Sequence, residues 1–435
     1  MNILLINHYA GSDRLGMEYR PFHFGREWVD GGHRVTILAA DFSHLRNVQP
    51  KIRRDLDVTE EEGVRFCWLR TNRYEGNGAW RVANMTAFVA KLRLYTARIA
   101  RTERPDVVVC SSTYPLDIYP GAGIARRAGA RLVFEVHDLW PLTPMLLGGY
   151  SPRHPYIRLL QRAEDYAYRR ADTIISLLPH ARDYMVGRGM GAHKFLHVPN
   201  GLPVSRGRPH EAELPPEVEA LIERERMKGR FLVGFAGSIG LGVAIETVFA
   251  AAARLRAEGV AFVIAGDGLK VRGLRHQVQQ SGLDNFHLLG RLPKASIPRF
   301  LRHMDVLTIP WPHNPLYRFG VSPNKVFEYM LAGRPIVQAS GASNDLIGEA
   351  ACGVTVTPED PVAFAAAVSG LRALPAEERR RLGENGRRFV ADRHDCRVLA
   401  RRFLEGAWPS VNPAVSSEKT AAKGLQPRLT LSSYR

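Results

Sequence analysis

Residues 231–256 read Phe-Leu-Val-Gly-Phe-Ala-Gly-Ser-Ile-Gly-Leu-Gly-Val-Ala-Ile-Glu-Thr-Val-Phe-Ala-Ala-Ala-Ala-Arg-Leu-Arg. The apolar run Phe231–Phe235 is too short for a helix and suits a strand buried on both faces. Glycine then recurs at Gly237, Gly240 and Gly242, and from Val243 to Arg256 the pattern becomes helical. Strand, glycine loop and helix in that order make a cradle for an anion. The first N–H groups of a helix have no partners, and glycine lets the backbone approach a ligand closely. Ser238 and Gly240 are therefore candidate binding positions. The loop lacks a Walker lysine, which argues against an ATPase.

The same unit recurs on both sides. Ahead of it, strands are expected at Asn2–Asn7, Arg34–Ala39, Val64–Leu69, Asp106–Cys110, Arg131–Val136, Thr173–Leu177 and Phe195–Val198. After it they are expected at Ala261–Ala265, Phe286–Leu288, Val306–Pro310, Pro335–Gln338 and Gly353–Val356. Strands alternating with helices predict parallel, doubly wound sheets in an α/β protein. A chain of 435 residues is too long for one core. The Gly- and Pro-bearing stretch from Gly201 marks a boundary near Pro203. We expect an N-terminal Rossmann-like domain over 1–203, a second over 204–395, a helix over 396–410 returning to the first domain, and a disordered, polar tail over 411–435.

Composition narrows the class. Hydrophobic residues make up 45% and charged residues 24%, as in a soluble globular protein. Cys67, Cys110, Cys352 and Cys396 are scattered, so neither a zinc site nor a disulfide framework is expected. The start Met1-Asn2-Ile3-Leu4 reads as a strand, not a secretory signal, and no apolar run has the length of a membrane span. A cytoplasmic protein is expected. The net charge of +17 suits polyanions such as nucleotide phosphates or an anionic membrane face, although a genome rich in arginine codons gives the same balance.

Ligands of parallel sheets bind beyond the strands' carboxyl ends. The loop after Asn7 runs from His8 to Pro21 and carries Gly11 and Gly16; it is not a G-x-G-x-x-G fingerprint. After Arg131–Val136 comes His137-Asp138-Leu139-Trp140. A lone histidine is more often structural, but one at a strand end beside a carboxylate and an indole is placed to meet a polar substrate. The most specific stretch is Arg318-Phe319-Gly320-Val321-Ser322-Pro323-Asn324-Lys325-Val326-Phe327-Glu328. Ser322 or Asn324 is expected to cap a helix whose first turn holds Pro323. Its free N–H groups and the Lys325 ammonium would face a diphosphate, and Glu328 would accept from ribose hydroxyls.

Taken in order, these motifs resemble GT-B-type glycosyltransferases of family 4, especially those of bacterial surface-polysaccharide synthesis. The resemblance spans roughly residues 1–405. It rests on the Gly-rich first loop, His137, Val198-Pro199-Asn200-Gly201, the Gly266-Asp267-Gly268 turn and Ser322-Pro323-Asn324-Lys325 with Glu328. It implies two Rossmann-like domains facing a cleft and transfer of a sugar, with retention, from a nucleoside-diphosphate sugar, expected to be UDP-linked. The acceptor would be a saccharide or polyprenyl-linked saccharide in O-antigen, capsule or exopolysaccharide synthesis. No metal and no cofactor are implied. His137 and Lys325 become the catalytic candidates. Gly16, Ser238, Gly240, Arg291, Leu292, Arg318, Ser322, Asn324 and Glu328 become the donor-binding ones, with Leu288–Leu292 meeting the base.

Two positions depart from the family pattern. Gly320 stands where many members have a glutamate, and Ser238–Gly242 lacks the usual Arg and Lys. Lys325, with Arg318 or Arg291, is then expected to neutralise the leaving diphosphate. The only Asp-x-Asp, Asp55-Leu56-Asp57, falls in Lys51–Glu62, expected to be an exposed loop carrying surface charge and not a metal. Two other functions stay open. One is a nucleotide-sugar epimerase on the same framework, which needs further cleft carboxylates. The other is a polyanion binder, which the dispersal of the basic residues disfavours; no nucleic-acid partner is expected. Met85, Phe88, Val89, Leu92, Tyr95 and Ile99 form one helical stripe over Met85–Ile99. It either packs on its own sheet or lies on an anionic membrane near the acceptor.

Overall fold

The computed structural model describes residues 1–76, 78–207 and 211–408, so the expected tail at 411–435 lies outside the described residues. The chain forms two sheets. The first contains β1 (Asn2–Ile6), β2 (Arg34–Ala40), β3 (Asp57–Glu61), β4 (Val64–Leu69), β5 (Val107–Cys110), β6 (Arg131–Val136), β7 (Thr173–Ser176) and β8 (Phe195–His197), in the order β3-β4-β2-β1-β5-β6-β7-β8. The second contains β9 (Phe231–Ala236), β10 (Val260–Ala265), β11 (Phe286–Gly290), β12 (Val306–Pro310), β13 (Ile336–Ala339) and β14 (Gly353–Val356), in the order β11-β10-β9-β12-β13-β14. Every strand pair is parallel except β3 with β4.

The apolar runs read as strands because both faces of each sheet are covered. In β1, Leu4 and Ile6 enter one core with Phe88, Leu92 and Ile124, while Ile3 and Leu5 enter another with Phe22, Trp28 and Phe403. The second sheet likewise separates two cores, one around Leu232, Phe327 and Met330, the other around Val233, Phe262 and Phe364.

Three expectations are corrected. The charged segment Lys51–Glu62 is not all loop: Asp57–Glu61 is an antiparallel edge strand. Its charged side chains suit an edge exposed to water. Asp55 within the Asp-x-Asp pairs with Lys91 at 2.9 Å, while Asp57 accepts from the backbone N–H groups of Arg53 and Arg54. The stripe Met85–Ile99 spans two helices, Ala79–Leu94 and Thr96–Glu103. Phe88, Leu92 and Ile99 are buried against the first sheet and Met85 is buried with Tyr9, Tyr114 and Leu160, so those positions offer no face to a membrane. The helix expected from Val243 begins at Ile245. Ala376–Arg393 and Cys396–Ala407 form two further helices, the second capped by Asp395, which accepts from Arg397 N at 2.9 Å.

Helix Cys396–Ala407 lies on the first domain. Ala400 O accepts from Trp28 Nε1 at 2.9 Å, Ala407 O accepts from Arg131 Nε at 2.8 Å, and Phe403 packs on Trp28. The chain thus crosses between domains at 198–202 and again at 394–396. The crossings are joined where Leu202 N donates to His394 O and Cys396 N donates to Leu202 O, each at 2.9 Å. No helix of the described residues is long and apolar enough to cross a membrane.

Candidate active site

Each sheet has one point where strand order reverses, between β1 and β5 and between β9 and β12. Loops there diverge and leave a crevice. In the second domain the loops after β9 and β10 pack so closely that glycine is required. Gly266 has φ 157°, and a Cβ there would overlap the carbonyl of Gly237. Gly237, at φ 149°, has no room for one either, because the Lys325 ammonium occupies that space.

Lys325 comes from the helix Asn324–Ala332, which begins directly after Pro323. Pro323 itself is the cap residue, in extended conformation, and no side chain caps this helix. That corrects the capping roles expected of Ser322 and Asn324. Ser322 Oγ is committed elsewhere, accepting from Asn200 N at 2.7 Å, and Asn324 Oδ1 is buried without a partner. Val326 N donates to Pro323 O at 3.2 Å, and no side chain competes for the N–H groups of Asn324 and Lys325 ahead of it, which suits an anion. Lys325 Nζ lies 4.5 Å from the centre of the Phe235 ring. Burial pulls its pKa down from 10.5 to about 8, against the opposing pull of Glu328. Glu328, one turn on, is exposed to solvent yet crowded by the cleft walls. That crowding raises its carboxyl pKa, with Lys294 and Lys325 working against the rise.

In the first domain His137 follows β6. Its Nε2 is 2.9 Å from Ser111 Oγ and 3.3 Å from Glu135 Oε2. Ser111 follows β5, so two neighbouring strand ends meet here. Glu135 is buried. Burial by itself would raise its pKa, but Arg20, His137 and Ser111 outweigh that and hold it at about 2. Beside His137 lies a small hollow, with room for about one water molecule, lined by Ser112, Thr113, Asp138, Trp140 and Glu164. Burial raises the pKa of Glu164 to about 7 although Tyr168, Gln161 and Tyr184 donate to it.

The remaining candidates divide. Ser238 is exposed and Gly240 half-buried in the loop after β9, and Arg291 is exposed after β11. The side chain of Leu292 is in the core, so it offers a base at most its backbone. Gly16 is buried. Its N–H donates to Ser12 O at 2.8 Å, and at φ 107° a Cβ would press on Asn47 N at 2.8 Å. Arg318 is exposed, its guanidinium 4.8 Å from the Phe319 ring. Phe319 docks on the first domain against Tyr184.

Lys294 and Tyr19 were not singled out from the sequence. Lys294 Nζ donates to Tyr19 OH at 2.6 Å and stands 3.9 Å over its ring, bridging the domains beside Glu328. Tyr19 belongs to the first loop and Lys294 follows Leu288–Leu292, so both lay next to stretches already marked for ligands.

Residues 16–201 match the glycosyl transferase 4-like domain family, and residues 230–373 match glycosyl transferases group 1. The chain belongs to the glycosyltransferases. It is similar to 2-deoxystreptamine N-acetyl-D-glucosaminyltransferase of Streptomyces fradiae, 27% identical over 380 residues and 84% of each chain. It is likewise 27% identical to the probable glycosyltransferase WbjE of Pseudomonas aeruginosa, over 70% of this chain and 74% of that one. Among solved structures it resembles Anabaena HepE in complex with UDP and glucose, at 18% identity, TM-score 0.61 and coverage of 93% of this chain and 98% of that one. WaaG, a glycosyltransferase involved in lipopolysaccharide biosynthesis, aligns with TM-score 0.59 at 14% identity over 93% and 98% of the two chains. These likenesses fix the fold as GT-B, and the family fixes the activity as glycosyl transfer.

Proposed function

We propose that this glycosyltransferase moves a sugar, with retention and without a metal, from a UDP-linked donor to a saccharide acceptor in surface-polysaccharide synthesis. The observation that carries this reading is the uncapped helix start at Asn324 with the Lys325 ammonium beside it. Breaking a glycosyl–phosphate bond builds negative charge on the leaving diphosphate, and a fixed cation with aligned N–H dipoles stabilises that charge. Glu328, one turn along, accepts from the ribose. His137, across the crossing at 198–202, meets the sugar. HepE binds UDP and glucose, and WaaG acts in lipopolysaccharide biosynthesis, which supports the donor and the setting. A single panel tests the reading: nucleotide sugars are incubated with saccharide acceptors in EDTA, and the product's anomeric configuration is read by NMR. Transfer from a UDP-sugar with retention is expected. Activity abolished by the chelator and restored by Mn²⁺ or Mg²⁺, or an inverted product, overturns it.

A further inference from the structure

An unbroken run of hydrogen bonds leads from Ser322, at the donor helix, to His137. Ser322 Oγ accepts from Asn200 N and Ser322 O accepts from Asn200 Nδ2, both at 2.7 Å. Asn200 belongs to the first interdomain crossing. The carbonyls before it, Val198 O and Pro199 O, accept from Arg20 at 3.0 and 2.6 Å. The same guanidinium donates to Glu135 Oε1 at 2.9 Å. The other carboxylate oxygen of Glu135 accepts from Ser111 Oγ at 2.6 Å and lies 3.3 Å from His137 Nε2.

Arg20 and Glu135 have side chains only 5% and 1% exposed, so neither touches substrate. A pair buried this deeply contributes little net stability compared with apolar residues of the same shape. Its distinctive property is geometric: a rigid planar fork of donors holds one carboxylate and two linker carbonyls at once, in fixed directions that a freely rotating ammonium does not impose. The run engages Nε2 of His137 and leaves Nδ1 outside it. We propose that Arg20 is a positioning residue that ties the His137 ring to the interdomain crossing, so that the setting of the two domains fixes the ring's orientation. The proposal rests on His137 acting on the sugar, as argued above.

The test is a mutant cycle. Arg20→Met with Glu135→Gln removes both charges together, so no unpaired charge stays buried. Thermal melting and titration with UDP report folding and the integrity of the second domain. His137→Ala is then introduced into the parent and into this background. We expect His137→Ala to lower kcat about tenfold or more in the parent and less than about twofold in the altered background, because residues acting as one unit are not additive. Equal factors in both backgrounds overturn the proposal and leave the role of His137 intact. No loss of kcat in the parent removes the reading of His137, and the proposal with it. Should the double variant fail to fold, the same cycle runs in Arg20→Lys, which keeps the charge beside Glu135 but not the fork. There too, an undiminished effect of His137→Ala overturns the proposal.

Discussion

Replacing Lys325 by methionine should make the unliganded protein more stable and the enzyme much slower. The ammonium lies over Phe235 and against Gly237, and burial lowers its pKa from 10.5 to about 8. At about 1.4 kcal/mol for each tenfold change in proton affinity, that fall corresponds to about 3 kcal/mol held against the charged form. Water in the open cleft screens part of it, so about 1–2 kcal/mol should emerge as added stability in Lys325→Met. The gain should be full at pH 7, where folded and unfolded lysine are both protonated. Between pH 8 and 10.5 it should shrink, because the folded protein has by then lost its proton while the unfolded chain has not. Removing one fixed cation from a site of developing charge costs on the order of 100-fold in kcat. Denaturant unfolding at pH 7 and pH 10, with initial rates at saturating donor, measures both effects. A variant less stable than the parent at pH 7, or one whose gain is equal at the two pH values, refutes the idea that this lysine is held unfavourably for the donor's sake.

Titration with free UDP separates the two domains' duties: His137→Ala should lower turnover yet bind UDP nearly as the parent does, whereas Glu328→Ala should weaken that binding through the ribose. The reverse pattern would show the assignment to be inverted. At Gly320, with φ 87°, a Cβ would press on the Pro179 ring at 2.6 Å and on Asn344 Oδ1 at 3.0 Å. Gly320→Ala should therefore cost about 1–3 kcal/mol of stability, and an unchanged unfolding midpoint would show that this contact yields freely.

The architecture was legible because parallel strands covered on both faces appear as short apolar runs, and Val107–Cys110 or Val260–Ala265 admit no other reading. Asp57–Glu61 was missed because an edge strand facing water carries Asp and Glu, which imitate a loop. The helix Asn324–Ala332 was legible too, from Pro323 at its start, but the work done by Ser322 was not. A serine before a helix has the chemistry of a cap, and nothing local shows that its hydroxyl is already engaged by Asn200, 122 residues earlier. Packing was no more legible at Leu292 and Gly16: the leucine side chain enters the core and the glycine lies under Asn47. Local spacing records which element a residue belongs to, not which distant group it meets.

The same limit explains the missing cations after β9. The sequence offers no Arg or Lys in Ser238–Gly242, and the exposed Arg318 sits beside Phe319, which docks on the first domain, while Arg291 is exposed after β11. Lys294 answers part of the need from another direction. It stands close enough to Glu328 to pull that carboxyl's pKa downward, and its ammonium bonds to Tyr19 of the opposite domain. Its present partner is a neutral phenol and an aromatic face, so its charge is not neutralised by an acid at that contact. The second domain thus brings two cations, Lys325 and Lys294, near enough to Glu328 to act on its carboxyl, at a helix start that no side chain caps. The first domain holds its histidine by a buried, fully paired carboxylate. Charge that develops on a leaving diphosphate needs cations not already spent on acids, whereas a group that must meet a sugar at one angle needs all its other bonds made. Each domain carries the arrangement suited to one of those tasks, and the crossing at 198–202, gripped by Arg20 on one side and Ser322 on the other, is where the two are joined.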